Sequence, residues 1–287
     1  MARNNKNRTL DASAPETPVD NDNTINQVPQ ETNTTFSFPL PTEIVDLPSK
    51  GAFYKSNSSL YGKTEIEIKY MTAKEEDILT SVSLAKKGLT IERLLQSIII
   101  DKSIKVTDLL VGDRNALLMA ARITGYGSDY EAGIKCNDCG HQFTEEIDLQ
   151  SIGHRTLNDS SSLSIRNGIG YVTLPVANIE VGIKPITVAD EKRIDQVTAK
   201  RKRHKLEDTA LTDMLRAIMV SAAGVEDPGE ISNLIEVLPA RDSRVIRREY
   251  KNIAPDLDLT VNVECPECGK EEVREVPIDA GFFWPDE

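Results

Sequence analysis

The four cysteines of this 287-residue chain stand as two matched runs, Cys136-Asn137-Asp138-Cys139-Gly140 and Cys265-Pro266-Glu267-Cys268-Gly269. A two-residue spacer lets both thiolates of one turn face a single ion, and the glycine permits the tight backbone beyond it. Each run supplies half of a tetrahedral shell. Together Cys136, Cys139, Cys265 and Cys268 supply all of it, which predicts one structural zinc site with no open coordination position. The alternatives are separate sites, disulfides and free thiols. A redox dithiol wants the strand-to-helix setting of a thioredoxin-like Cys-x-x-Cys, which is missing. Disulfides want an exported chain, and nothing marks this one for export. His141 lies two residues beyond Cys139 and reads as decoration of the turn or as a stray ligand. His154 and His204, the other histidines, enter no acid–base constellation. No phosphate-cradling glycine loop, nucleophile elbow or His-Glu zinc-protease motif appears, so no catalytic residue is assigned and the chain reads as a non-enzyme.

The elements that must carry these turns follow from periodicity and punctuation. Phe36–Tyr54 is apolar but broken by prolines, which predicts an extended arm or edge strand with a turn at Pro48-Ser49-Lys50-Gly51. Ile66, Ile68 and Tyr70 alternate with Glu65, Glu67 and Lys69 as a half-buried strand. Thr72-Ala73-Lys74-Glu75 has capping-box form, and the helix it opens is expected to stop at Gly88. Further helices are predicted near Ile91–Ile100 and Asp113–Thr124, ahead of a strand pair bearing the first cysteine turn. The programme then repeats. Val181, Ile183 and Pro185 echo the strand, Thr187–Asp190 the cap, Met214–Met219 the middle helix and Asp242–Lys251 the third helix. The offset grows from 115 at the caps through 120 to 129 at the cysteines, as loop insertions would make it. The predicted fold is α+β. A disordered tail over 1–35 precedes a first repeat over 36–150, a linker over 151–170, and a second repeat over 171–287 with an aromatic C-terminal tail.

Composition narrows the function classes. Charged residues reach 28% and the net charge is -12, which argues against a general binder of nucleic acid. No apolar run approaches the roughly 20 residues that span a bilayer, and Met1–Thr35 lacks an apolar signal core, so a reducing cytoplasm is expected. Two basic stretches run against the overall charge: Lys200–Lys205, and Arg241, Arg244, Arg247, Arg248 and Lys251 at helical spacing. Either could dock an acidic partner or phosphate, or form a solvated face. Phe282, Phe283 and Trp284 either pack onto the second repeat or anchor a partner, and the anchor is the expectation taken forward.

The sharpest motifs lie in the first repeat. They are Leu47-Pro48-Ser49-Lys50-Gly51-x-x-Tyr54, Met71-Thr72-x-x-Glu75-Glu76-x-Ile78-Leu79, Asp108-Leu109-Leu110-x-Gly112-Asp113-Arg114, Arg122-Ile123-x-x-Tyr126-Gly127 and the cysteine turn. With these, residues 36–150 resemble the baseplate hub family of T-even-type contractile-tailed bacteriophages. The resemblance implies a structural or assembly role in the virion, at the tail baseplate, assembled in the host cytoplasm, without catalysis. Its partners would be other tail or baseplate proteins. Gly112-Asp113-Arg114 and Arg122 would be interface residues; otherwise Asp113 caps the third helix and Arg122 belongs to a buried ion pair. The competing reading is a zinc-ribbon nucleic-acid-binding factor using the basic segments 200–205 and 241–251.

Overall fold

The computed structural model describes residues 39–155, 163–207, 209–278 and 280–283. The expectation for 1–35 and the position of Trp284 lie outside the described residues. The first strands, β1 (Thr42–Asp46) and β2 (Glu65–Lys69), pair antiparallel from Thr42↔Lys69 to Asp46↔Glu65. Alternation does what it predicts here: Ile66 and Ile68 are buried while Glu65 and Glu67 face solvent. Helices α1 (Ala73–Thr80), α2 (Val82–Lys87), α3 (Thr90–Ile98) and α4 (Val111–Tyr126) follow. Gly88 closes α2 in the left-handed region at φ 63°, as expected. The single helix expected before it is two, because Ser81 is extended and its hydroxyl accepts from the Leu84 amide to start α2. Hairpin strands β3 (Asp129–Lys135) and β4 (Gln142–Asp148) then carry the first cysteine turn.

The remaining elements are β5 (Ser164–Arg166), β6 (Ile169–Thr173), β7 (Glu180–Ile183), α5 (Val188–Arg203), α6 (Ala210–Ile218), β8 (Met219–Ala222), α7 (Pro228–Val237), α8 (Ala240–Ile253), β9 (Thr260–Glu264) and β10 (Glu271–Glu275). Strands β5-β6-β7-β8 make one antiparallel sheet, and β9 pairs with β10 around the second cysteine turn. The fold is α+β, with small antiparallel sheets set among short helices. β5 and the start of β6 lie within the stretch that composition marks as a connector.

The two halves use the same devices at matching places. Glu75 accepts from the Thr72 amide at 3.0 Å and from Lys69 Nζ at 2.7 Å; Asp190 accepts from the Thr187 amide at 3.2 Å and from Lys184 Nζ at 2.5 Å. Beyond the middle helix, Ile99 bridges Ile68 in one half and Met219 pairs with Ile183 in the other. Asp113 and Asp242, both fully buried, occupy the third position of α4 and α8. Each reaches into the loop between the preceding strands. Asp113 accepts from the Ser49 amide and hydroxyl and the Tyr54 hydroxyl, and Asp242 from the Val176 and Ala177 amides.

Two apolar clusters form the core. One gathers Leu47, Ile68, Leu94, Leu95, Ile98, Leu117 and Ala121, and the other Val181, Ile183, Leu215, Ile218, Ile231 and Ile246. Leu257, Leu259, Val276, Phe282 and Phe283 belong to the first cluster, although they follow the second in sequence. The base of the β9–β10 hairpin therefore folds back onto the first half, which brings the two cysteine turns together.

Candidate metal centre

Each cysteine turn is built by the same backbone bonds. The Cys136 amide donates to His141 O at 2.9 Å and the Gly140 amide to Cys136 O at 3.1 Å; in the second turn Cys265 donates to Lys270 O at 2.9 Å and Gly269 to Cys265 O at 2.8 Å. The last bond of each turn needs positive φ, supplied by Gly140 at 77° and Gly269 at 69°. Cys136 and Cys265 are buried, while Cys139 and Cys268 reach solvent.

The four Sγ atoms lie within 4.8 Å of one another. Between hairpins, Cys136 stands 3.7 Å from Cys268 and Cys139 stands 3.7 Å from Cys265. Zinc–sulfur bonds of about 2.3 Å in a tetrahedron put sulfurs about 3.8 Å apart, so the spacing suits one ion bound by all four. It is far too long for a disulfide, whose sulfurs are about 2.05 Å apart. Cys136, Cys139, Cys265 and Cys268 can thus hold one metal ion, with two ligands from each half of the chain. His141 stays outside this set and stacks on Phe143 instead.

The electrostatics of the sulfurs agree with a cation between them. Backbone N–H groups of Cys139 and Asp138, with neighbouring thiols, hold Cys136 down to about 7. At Cys268 the Lys270 amide favours the thiolate, but lost hydration and the three neighbouring sulfurs outweigh it and push the group up to about 12. The Cys136 thiolate forms readily, whereas those of Cys139 and Cys268 are opposed by lost hydration and neighbouring sulfurs; a dication at the centre removes that opposition.

A polar brace also joins the two hairpins. Glu272 on β10 accepts from the Asn137 amide at 3.0 Å, inside the first cysteine turn. Arg274 holds Glu272 and donates to Lys135 O at 2.7 Å. The second turn cannot return the bond, because Pro266 stands where Asn137 does and has no amide hydrogen. Sequence spacing finds the cysteines but not this brace, which depends on how the hairpins face each other. Their inner faces, with Tyr130, Ala132 and Ile134 opposite Val261 and Val276, line a cleft of about 800 Å³.

The other residues singled out from sequence turn inward. Ser49 and Tyr54 both donate to Asp113, so motifs far apart in the chain meet in one buried cluster. Gly112 is pressed against the segment after α8: a Cβ added there would lie 1.9 Å from Pro255 O. Arg114 pairs with Glu191 of α5. Arg122 is buried, but carbonyls take the place of the expected ion-pair partner, with bonds to Phe282 O (3.2 Å), Gly127 O (2.7 Å) and Asp129 O (3.1 Å). None of these is an exposed interface residue. Phe282 and Phe283 are 1% and 0% exposed and pack into the first core cluster, which overturns the expectation that they anchor a partner and that any home packing is on the second half. The basic residues Arg241, Arg244, Arg248 and Lys251 are exposed on α8, and Lys202–Lys205 close and follow α5 in solvent.

Among comparisons with known proteins, a family model described as T4 bacteriophage base plate protein matches residues 41–284. No curated protein and no solved structure matches the chain. Among the described residues, no helix is long and apolar enough to cross a membrane.

Proposed function

The chain belongs to the T4 bacteriophage base plate protein family, and from that premise we propose that it is a structural or assembly component of a contractile-tail baseplate, in the hub region, and acts without catalysis. The match over residues 41–284 carries this reading, because it takes in both halves and both cysteine turns. The hub position rests on the first-half motifs. Virion location and partnership with other tail or baseplate proteins follow from the same membership.

We further propose that Cys136, Cys139, Cys265 and Cys268 bind one structural zinc ion, supported by four sulfurs at tetrahedral spacing. The ion would cross-link two repeats, 36–150 and 171–287, whose equivalence is supported by the matching caps, buried aspartates and strand pairings. The nucleic-acid reading is disfavoured by a net charge of -12.

Mass spectrometry of purified tails and of tail-assembly intermediates tests the placement. The chain should be found in one or both, and its deletion should leave tails without complete baseplates. Absence from every intermediate, or normal baseplates after deletion, would reject the reading. Metal analysis of the purified protein should give one zinc per chain; two, or none with four reactive thiols, would reject the shared site.

A further inference from the structure

Helix α8 carries a cationic face on an acidic protein, and among the described residues Arg241, Arg244 and Lys251 on it make no ion pair. Its inward side, Val245, Ile246, Tyr250 and Ile253, packs into the second core cluster. Arg241, Arg244, Arg248 and Lys251 recur every three or four residues on the outward side and are exposed. Among the described residues, the one ion pair made by these four is Arg248 with its own neighbour Glu249. Arg247 adds a buried Nε without a hydrogen-bond partner. Arg241 and Arg244 also sit near the N-terminal end of the helix, where the macrodipole disfavours cations. The helix itself gains nothing from this placement.

The complementary surface lies on the same chain. In the β3–β4 hairpin, Asp129 stands opposite Asp148 and Glu131 opposite Glu146. All four point to solvent, and none takes part in an ion pair among the described residues. Like charges directly across an antiparallel ladder are destabilising, so this face too is unfavourable for the isolated chain. The carboxylate block measures roughly 7 Å along the strands and 5 Å across. The run Arg241–Arg244–Arg248 extends about 10 Å along its helix, enough to cover that block.

We propose that the α8 face of one copy docks on the outer face of the β3–β4 hairpin of a second copy, in a head-to-tail contact. One contact then pairs the exposed charges of both surfaces. A nucleic acid would account for the cations alone. The mutual repulsion of two acidic chains is screened beyond about 8 Å at physiological salt, so short-range complementarity decides the outcome. Because the two patches differ, the contact is heterologous and continues into a ring or a filament. It does not depend on where in a virion the protein sits.

Sedimentation of the full metal-bound chain tests this. The wild type should associate at physiological salt, where the long-range repulsion is screened, and dissociate at high salt. The variants Arg241→Glu/Arg244→Glu/Arg248→Glu and Glu131→Lys/Glu146→Lys should each weaken association at least tenfold. Mixed, the two variants should associate again, since the hairpin of the first meets the α8 of the second and the reversed surfaces meet each other. Should either reversal fail to fold in a thermal melt, the Gln replacements at the same positions serve, and each should weaken self-association. A wild type that stays monomeric at physiological salt overturns the proposal. So do association indifferent to α8, a mixture that fails to recover, or a monomer that instead binds DNA through α8 with steep salt dependence.

Discussion

Glu75 shows how a single side chain can serve three elements at once. Burial alone would raise its carboxyl group, but bonds from Lys69, Ser97 and Thr72 outweigh burial and hold it near 2, against an ordinary 4.5. The folded state therefore binds fewer protons than the unfolded one within that window. Stability from Glu75 is complete above the unfolded value and is lost as pH falls through the folded one. The loss should be on the order of 3 kcal/mol between about pH 5 and about pH 2. Denaturant midpoints across that range should fall steeply in wild type and more gently in Glu75→Gln; coincident profiles would refute the assignment. Asp113 has the opposite sign, since burial raises it despite three donors. It contributes to stability most fully in acid. Next to it, Gly112→Ala would force a methyl group into the Pro255 carbonyl. Overpacking of this kind costs about 1–3 kcal/mol, read as a lowered midpoint.

At the scale of elements, the C-terminal turn at Ala280–Phe283 is a core component. Phe282 lies against Tyr130 at 5.2 Å and edge-on to Phe283 at 5.7 Å, and its carbonyl accepts from buried Arg122. Phe282→Ala or Phe283→Ala should each cost about 3–5 kcal/mol of folding free energy, the range for buried aromatics. A melt unchanged from wild type would show that the segment does not pack. Sequence alone could not place these rings. Their partner Arg122 is 160 residues away, and apolar residues at a chain end look the same whether they are buried at home or by a neighbour. What was readable was local. Alternation located β2, apolar periodicity located α3 and α4, and carboxylates three residues beyond Thr72 and Thr187 located two helix starts. The break at Ser81 escaped because Val82, Leu84 and Ala85 continue the helical pattern across it. α7 escaped as well, although Asp227-Pro228 is a sound helix start. The matching devices of the two halves are legible in sequence because they are polar, short in range and conspicuous by type.

For the whole molecule, the decisive fact is where the four clustered sulfurs come from. The cross-hairpin sulfur pairs join residues 132 and 126 positions apart, so an ion at the centre closes nearly half the chain into one loop. A cross-link over a loop of that length removes unfolded-state entropy worth roughly 4–5 kcal/mol in the chain-entropy model. At the cysteine-turn end, the rest of the contact between hairpins, chiefly Glu272 with Asn137 and Arg274 with Lys135, is polar and partly exposed. Such bonds contribute about 1 kcal/mol each and cannot hold the hairpins together alone. Both cysteine turns should therefore loosen together when the metal goes, even though each hairpin bonds within itself. The experiment is a thermal melt and a hydrogen-exchange series with and without a strong chelator, beside Cys136→Ser and Cys265→Ser. Chelation and either substitution should lower the midpoint by several degrees and expose amides in β3–β4 and β9–β10 to the same extent. Exchange confined to the hairpin that carries the substitution would mean that the turns are independent. An unchanged melt after complete metal removal would mean that the buried junction of Leu257, Leu259, Val276, Phe282 and Phe283 with the first core is sufficient to hold the halves together.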